Sequence, residues 1–249
     1  MKTISTIFTI ILLSASTTYA QLTIELESGA AFNEYNDVRT PNNDDQQGTL
    51  FSLTDDFDVQ QPVVFFRASV AYTIADRHTI AAVAAPLAFE YDNTTLRDFR
   101  FEGRPFGGAP VTARYEFNTY RLSYRYRLVD QEKVRLALGV TGLLRDAKIE
   151  LTQGGESTKN TDLGFVPLLS IDFNYRFTDR FDFVLSGDAL VGPQGRAEDI
   201  FGGFAYQVVD DRLALKLGYR LLEGGADVSS VYNFTYVHFA DVGIQISLF

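Results

Sequence analysis

The sequence predicts an all-β chain that closes into a transmembrane, antiparallel, up-and-down β-barrel of about ten strands, within a range of roughly eight to twelve. Apolar residues recur at every second position in segment after segment, which is the period of a β-strand. Short and long connections alternate between these segments. The chain contains 21 Phe and 13 Tyr but no Trp, and many of these rings fall near segment ends. Together these observations favour a barrel with one tight rim and one rim of long loops.

Residues 1–20 have the pattern of a secretory signal peptide. Lys2 gives the positive start, Ile4 to Leu13 form an apolar stretch, and Thr18-Tyr19-Ala20 is a small-residue exit. The stretch is too short for a membrane helix, which needs ~20 apolar residues. The sequence therefore predicts export, followed by one barrel domain over residues 21–249. Because the chain has no Cys, it has neither a lipid-anchoring Cys nor a disulfide.

The strand period runs through ten segments. The clearest is the last, where Phe234, Tyr236, Val242, Ile244 and Leu248 share one face. In the third segment, a series of Ala residues between 81 and 88 blurs the two faces. The predicted strands are approximately residues 22–34, 62–75, 78–91, 112–128, 133–151, 161–177, 180–191, 198–209, 212–223 and 231–248.

The connections predict which rim faces which compartment. Four are tight and polar, at residues 75–78, 130–133, 178–180 and 210–212. The longer ones, which alternate with them, are approximately residues 35–61, 92–111, 152–160, 192–197 and 224–230. Barrels of the bacterial outer membrane have short periplasmic turns and long extracellular loops. The sequence therefore predicts an outer-membrane location, with both termini at the periplasmic rim.

The polar face of such strands can point outwards, as in soluble barrels, or inwards, as in membrane barrels. Three features favour the inward direction: the rim asymmetry, segments longer than the ~9–11 residues that cross a bilayer, and aromatic residues at strand ends. The predicted lumen charge network comprises Arg121, Arg125, Arg135, Asp172, Arg176, Asp182, Lys216, Arg220 and Asp241, with Glu25, Glu27, Arg67, Arg127 and Asp188 on the same face. Both signs occur, so the charges can neutralise one another. Two interpretations stay open: a salt-bridged plug, or a narrow polar pathway for ions or small solutes.

A second charged set is predicted near the extracellular ends of the strands. It can form an ion-paired rim that fixes the loops, or it can line an entrance or a ligand site. The members of this predicted mouth cluster are Arg145, Asp188, Arg196, Glu198, Asp199 and Glu223, with Asp146, Lys148, Glu150 and Asp227 nearby. Asp188 belongs to both predicted sets.

The charge balance limits the partners. A formal net charge of −10 argues against nucleic acid, because phosphate binding needs a basic surface. The first long loop is rich in Asp, and oxygen ligands of this kind can bind calcium, but their spacing does not fit an EF-hand loop. These acids are Asp37, Asp44, Asp45, Asp55, Asp56 and Asp58. The sequence predicts no metal site and no cofactor.

Catalysis by the known classes of outer-membrane enzyme finds little support. Outer-membrane proteases need acidic pairs and a His at the extracellular rim, and lipid hydrolases need a Ser–His arrangement near the bilayer. The chain has two His. His78 lies in a predicted periplasmic turn, and His238 lies on the lipid-facing phase with no Ser beside it. We therefore predict no catalytic residues, with an outer-membrane protease or lipid hydrolase as the less favoured alternative.

Four stretches carry a resemblance to known proteins: residues 145–151 (RDAKIEL), 193–199 (PQGRAED), 219–227 (YRLLEGGAD) and 232–234 (YNF). They resemble an outer-membrane β-barrel family of Gram-negative bacteria that has no assigned activity. The similarity covers most of residues 21–249 and is strongest after about residue 110. It implies the fold and the location, and assigns no functional residue.

The C-terminal residue supports an outer-membrane barrel only in part. Phe249 resembles the terminal aromatic residue by which such barrels are recognised for assembly. However, the apolar residues Leu248, Ile246 and Ile244 lie one residue out of phase with it, which a terminal bulge would reconcile.

The sequence therefore predicts a non-enzymatic outer-membrane barrel that is structural or forms a narrow pore. The alternative is a surface-exposed binding or adhesion protein that acts through loops 35–61 and 92–111. The expected partners are outer-membrane lipid, lipopolysaccharide and, during biogenesis, the barrel-assembly machinery.

Overall fold

The computed structural model describes residues 20–43, 45, 47–93, 97–192 and 195–248. The predicted signal peptide, apart from Ala20, and the terminal Phe249 lie outside this part of the chain. So do Asp44 of the acidic loop and residues 193–194.

Ten antiparallel strands form a closed ring. Around the ring the order is β1-β4-β5-β9-β10-β11-β12-β13-β14-β15, and β15 pairs with β1. The strands of the chain are β1 Ala20–Arg39, β2 Phe51–Ser52, β3 Asp58–Val59, β4 Val63–Ile74, β5 His78–Ala85, β6 Ala88–Asn93, β7 Phe99–Phe101, β8 Arg104–Phe106, β9 Val111–Asp130, β10 Val134–Gln153, β11 Glu156–Thr178, β12 Phe181–Gly192, β13 Gly195–Val209, β14 Leu213–Val228 and β15 Val231–Leu248. The predicted antiparallel barrel of about ten strands is confirmed.

The third barrel strand is interrupted by a proline. Both β5 and β6 pair with β9, and Pro86-Leu87 separates them. The ladder between β4 and β5 ends at the pair Ala68 and Ala84. Continuing that register would place Phe66 opposite Pro86, which has no N–H to donate. This explains why the faces of the third segment are unclear in the sequence.

The two rims differ in a way that the sequence predicts only in part. The predicted tight turns join β4 to β5, β9 to β10, β11 to β12 and β13 to β14. At the opposite rim, the predicted loop 152–160 is a continuation of β10 and β11, closed by Gly154 and Gly155 at φ 63° and 83°, as in a type I′ hairpin. Strands β14 and β15 likewise continue through 224–230. These segments look like loops in the sequence because strands that extend beyond the apolar zone carry polar residues on both faces. Among the described residues, the long excursions from the barrel wall lie within 40–62 and 97–110.

The outward face of the barrel is an apolar belt. On β10 the outward positions are apolar or Gly from Val134 to Leu144, and the first outward charge is Asp146. At ~3.3 Å per residue and a tilt of ~40°, this stretch is about 25 Å tall, as in outer-membrane barrels. The belt includes Phe165, which is 71% exposed, and Val64, which is 69% exposed. No helix in the described ranges has the length and hydropathy of a membrane-spanning helix.

The interior has three layers from the tight-turn rim upwards. The lowest is a polar cavity, here called the lower cavity. The middle layer is a group of buried charges, here called the ion cluster: Glu25, Glu27, Arg67, Arg121, Asp188, Asp199, Lys216, Arg220 and Asp241. The upper layer is an aromatic plug, in which the 40–62 and 86–110 segments pack against inward-facing strand residues. Its main members are Phe51, Leu53, Phe57, Phe89, Tyr91, Phe99, Phe101, Phe106, Tyr115, Phe117, Ile149, Leu151, Val237 and Phe239.

A glycine makes room for a large aromatic side chain inside the barrel. Phe201 is fully buried in the lumen, and Gly218 lies beside it. A Cβ on Gly218 would lie 2.6 Å from Cζ of Phe201 and 2.6 Å from the carbonyl oxygen of Gly202. No flexible side chain is available there to yield, so only Gly fits.

We expect Gly218→Val to destabilise the barrel by about 1–3 kcal/mol or to prevent folding, because overpacking displaces Phe201 or the backbone. Urea unfolding and heat-modifiable gel migration measure the effect. Gly192→Val is the matched control, since no atom lies within 4 Å of the added Cβ. Equal urea midpoints for the two variants would contradict the prediction.

Candidate functional site

Asp199 is the centre of the ion cluster. Its carboxylate accepts from Nη1 of Arg67 and from Nη1 of Arg220, both at 2.9 Å, and forms an ion pair with Nη2 of Arg121 at 2.5 Å. These three arginines come from β4, β9 and β14, which lie on different sides of the ring. Asp199 on β13 therefore ties distant parts of the wall together through the lumen.

Arg220 and Glu27 form the second connection of the cluster. Nη2 of Arg220 donates to both oxygens of Glu27, at 2.7 and 2.8 Å, and Nε donates to Asp241 at 2.9 Å. Arg67 also contacts Glu27, at 3.1 Å from its Nε. Such bidentate, charge-assisted bonds are the strong form of ion pair.

Lys216 completes the cluster on the side of the lower cavity. Its Nζ is 3.2 Å from Glu27 and also contacts Glu25. The ammonium lies 4.4 Å from the ring centre of Phe201, and the guanidinium of Arg220 lies 5.4 Å from the same ring. In all, four cations face five carboxylates, and each is paired with opposite charge, as desolvated charges require.

One pair in the ladder shows how much the cluster depends on its arginines. Asp188 and Asp199 are directly opposite each other on β12 and β13. Like charges in this position repel. Arg121 bridges them, with Nη1 3.2 Å from Asp188 and Nη2 2.5 Å from Asp199, while Thr141 donates to Asp188 at 2.7 Å. Arg121 therefore offsets the repulsion between the two adjacent carboxylates, together with the other partners of each.

The structure divides the predicted lumen network between two layers. Arg121, Lys216, Arg220 and Asp241 belong to the ion cluster. The remaining members line the lower cavity, and they are Arg125, Arg135, Asp172, Arg176 and Asp182.

The predicted mouth cluster does not form one group. Asp188 and Asp199 were expected at the extracellular ends, but they lie in the ion cluster at mid-barrel. This expectation was wrong because β13 continues to Gly195 and β14 to Val228, well past the predicted strand ends. Of the others, Arg145 pairs with Asp162, whereas Glu198 lies across from Glu223 in the β13–β14 ladder.

Arg196 and Glu223 form a small site on the outer face, above the apolar belt. Nε of Arg196 donates to Glu223 at 2.6 Å, and its Nη2 donates to the hydroxyl of Tyr35 at 2.9 Å. Tyr35 donates in turn to Glu223 at 2.5 Å. Burial and this bond to Glu223 raise the pKa of Tyr35 to about 12. These three bonds join β1, β13 and β14, so the arrangement fixes the strand ends.

Both His contact tyrosines on the outer face of the barrel. Nδ1 of His78 is 2.9 Å from the hydroxyl of Tyr124, at the lower end of the belt. His238 packs on Tyr236 at a ring distance of 4.5 Å and contacts Tyr219, at the upper end. Both are outward-facing aromatic-girdle positions. Over the described ranges, no group of three or more His, Cys, Asp or Glu could hold a metal ion.

The aromatic plug was not predicted from the sequence. The rings of Phe51 and Phe99 pack at a tilt with their centres 4.8 Å apart, and those of Phe99 and Phe106 stack at 5.4 Å. Tyr91 is fully buried and donates to Asn33 at 2.5 Å. Burial raises the pKa of Tyr91 far above its usual value. The signal that the sequence offered was the apolar residues on the inward phase, such as Val237 and Phe239 above Asp241.

Comparison with known proteins supports the fold. The outer-membrane protease OmpT from Escherichia coli superposes with a TM-score of 0.57 over 92% of this chain and 97% of that chain, at 9% identity. Two weaker similarities have smaller TM-scores. Ail of Yersinia pestis has a TM-score of 0.38 at 9% identity and covers 92% of this chain and 99% of its own. Neisserial surface protein A has a TM-score of 0.35 at 14% identity and covers 90% of this chain and 96% of its own. No family model and no curated protein matches the sequence. The chain has the fold of outer-membrane β-barrels, and at 9% identity the likeness to OmpT concerns that fold alone.

We expect Asp199→Asn to destabilise the folded barrel by about 3–5 kcal/mol, because it leaves three buried guanidiniums without their shared carboxylate. Urea unfolding in lipid vesicles measures the difference. Asp210→Asn is the control: its side chain is 71% exposed and pairs only with Arg180, at 3.4 Å, so the expected change is below ~1 kcal/mol. Equal destabilisation by the two substitutions would show that the ion cluster does not hold the barrel together.

Proposed function

We propose that the chain is an integral outer-membrane β-barrel protein that has a structural role, a closed lumen and no enzymatic activity. The observation that carries this proposal is the filled lumen: the ion cluster and the aromatic plug lie one above the other between the lower cavity and the extracellular rim. The proposal includes export and removal of residues 1–20 as a signal peptide. It also includes the expected contacts with outer-membrane lipid, lipopolysaccharide and the barrel-assembly machinery.

The apolar belt supports the membrane location. Large side chains such as Leu163, Phe165 and Leu217 are more than 60% exposed around the outside of the barrel. Soluble monomers rarely present continuous apolar surface of this extent. The charges face inward over the height of the belt, as a lipid environment requires.

The filled lumen favours a closed barrel over a narrow pore. A path for ions would have to cross the paired charges of the ion cluster and then the plug, where Phe101, Tyr91 and Leu151 are fully buried. Dry aromatic packing of this kind is a barrier to hydrated ions, because their water shell has no substitute there.

The positions of the two His support a non-enzymatic role. His78 and His238 contact Tyr rings on the outer face. Among the described residues, His238 has one carboxylate beside it, that of Glu34 at 4.0 Å, and neither His has a hydrogen bond to a Ser. An adhesion role through the long segments has less support, since Phe51, Phe57, Phe99 and Phe101 of those segments are buried in the plug.

Leu217→Arg tests the membrane location. Leu217 points outward near the middle of the belt, and we expect an Arg there to destabilise the barrel in lipid vesicles by about 2–4 kcal/mol. Thr112→Arg is the control, at an outward position on β9 above the belt and opposite Asp92. If Leu217→Arg unfolds at the same urea concentration as the wild type in vesicles, the outer wall does not face lipid.

Planar-bilayer recording tests the closed lumen. We expect protein with heat-modifiable migration to give no steady ion conductance, while a general porin in the same bilayer does. Stepwise conductance from the wild-type protein would refute the closed barrel and restore the narrow-pore interpretation.

A further inference from the structure

The lower cavity is a blind pocket below the ion cluster. Its volume is about 300 Å³, at the lower end of the range for small-molecule sites. The space exists because the inward residues of the lower strands are small. These are Ser69, Ala71, Thr73, Thr79, Ala81, Ala137, Ser186, Ala205 and Ala214.

Four arginines share one wall of this cavity. Arg125 and Arg127 come from β9, Arg135 from β10 and Arg176 from β11, so they lie on three consecutive strands of the ring. In the ladder between β9 and β10, Arg127 is opposite Ala137, and Ala137 is two residues after Arg135 in the chain. The guanidinium groups are therefore close neighbours around one space.

The arginines of the lower cavity are loosely paired. The nearest carboxylates are at 4.0 Å for Arg125 and Asp172, and at 3.6 Å for Arg176 and Asp182. In the ion cluster the corresponding distances between guanidinium and carboxylate are 2.5–3.2 Å.

The other two arginines share one acid. Arg127 and Arg135 both approach Asp130, at 3.6 and 3.8 Å. Within the described part of the chain, no guanidinium of the four donates a hydrogen bond, so the donors of the wall are available.

The charge of the wall is opposite to that of the chain. The residues that line the cavity include eight cationic side chains and six carboxylates, whereas the whole chain has a formal net charge of −10. Most of the charges outside the arginine wall belong to the ion cluster, and Asp211 and Arg212 also line the cavity. The side that faces the arginines also has uncharged polar groups, those of Gln21, Thr23, Gln245 and Ser247. A cavity with low-dielectric walls and an excess of positive charge concentrates anions.

We propose that the lower cavity binds a small anion that carries a phosphate or carboxylate group, held by Arg125, Arg127, Arg135 and Arg176. The planar guanidinium offers two parallel N–H donors that match both groups. The uncharged hydroxyls and amides of the facing wall accommodate the polar remainder of the ligand. The inference rests on the proposed function only for the compartment, since the tight-turn rim faces the periplasm in the outer membrane.

Calorimetric titration of the folded protein in detergent micelles at low ionic strength tests the site. Inorganic phosphate and acetate are the two probes, and chloride at equal ionic strength is the reference. We expect saturable binding of phosphate or acetate, and the tighter of the two identifies the headgroup. Absence of saturable binding for both anions would overturn the proposal.

Arginine variants separate the site from general charge attraction. R125Q/R176Q is expected to weaken binding at least tenfold, whereas R77Q/R180Q, which removes two exposed charges from the same rim outside the cavity, leaves it unchanged. R125K/R176K keeps the charge and loses the planar fork, so it is expected to bind less tightly than the wild type and more tightly than R125Q/R176Q. Heat-modifiable migration establishes that each variant is folded. Equal losses for the two Gln pairs would refute the assignment.

The outcome is independent of the closed-lumen proposal. A wild-type protein that conducts in planar bilayers yet loses anion binding in R125Q/R176Q would refute the closed lumen and keep the site. A protein that is silent in bilayers and shows no saturable binding would keep the closed lumen and refute the site.

Discussion

The ion cluster at mid-barrel is the interaction on which the rest of the interior depends. Its members come from β1, β4, β9, β12, β13, β14 and β15, so it connects seven of the ten barrel strands across the lumen. Thr141 on β10 adds an eighth through its bond to Asp188. Backbone ladders hold neighbouring strands, whereas these side chains hold opposite walls at a fixed separation. Each member of the cluster depends on the others, because a buried charge without its partner is strongly destabilising.

The layers above and below the cluster follow from side-chain size. Above it, inward residues such as Tyr115, Phe117 and Phe239 are large and apolar, and the phenylalanines of the two long segments fill the remaining space. Below it, the inward residues are mostly Ala, Ser and Thr, so water-accessible space remains. The ion cluster thus lies between the aromatic plug, where the burial of apolar side chains stabilises the packing, and the lower cavity, which has space beside its arginines.

The sequence predicts the wall of this barrel better than its contents. The period of two places Lys216, Arg220 and Asp241 on the polar face of their strands, and the signs of a membrane barrel turn that face inwards. It does not predict that Arg220 bonds to Glu27 or that Arg121 bridges Asp188 and Asp199, since those contacts depend on the tilt of the strands and on reach across the lumen. The plug was also beyond prediction. Its phenylalanines lie in segments without a regular period, so nothing local indicates that they fold inward.

The ion cluster and the lower cavity both contain Arg and Asp, but these residues are paired differently in the two layers. In the ion cluster, Arg and Asp approach to 2.5–3.2 Å, and the ring of Phe201 packs beside Arg220. In the lower cavity, where small residues leave room, Arg and Asp stay 3.6–4.0 Å apart. In the closed lumen proposed above, the space beneath the ion cluster is a pocket with one opening rather than a passage. A pocket that solutes enter and leave by the same side suits binding rather than transport, which is why an anion site and a closed barrel are compatible properties of one molecule.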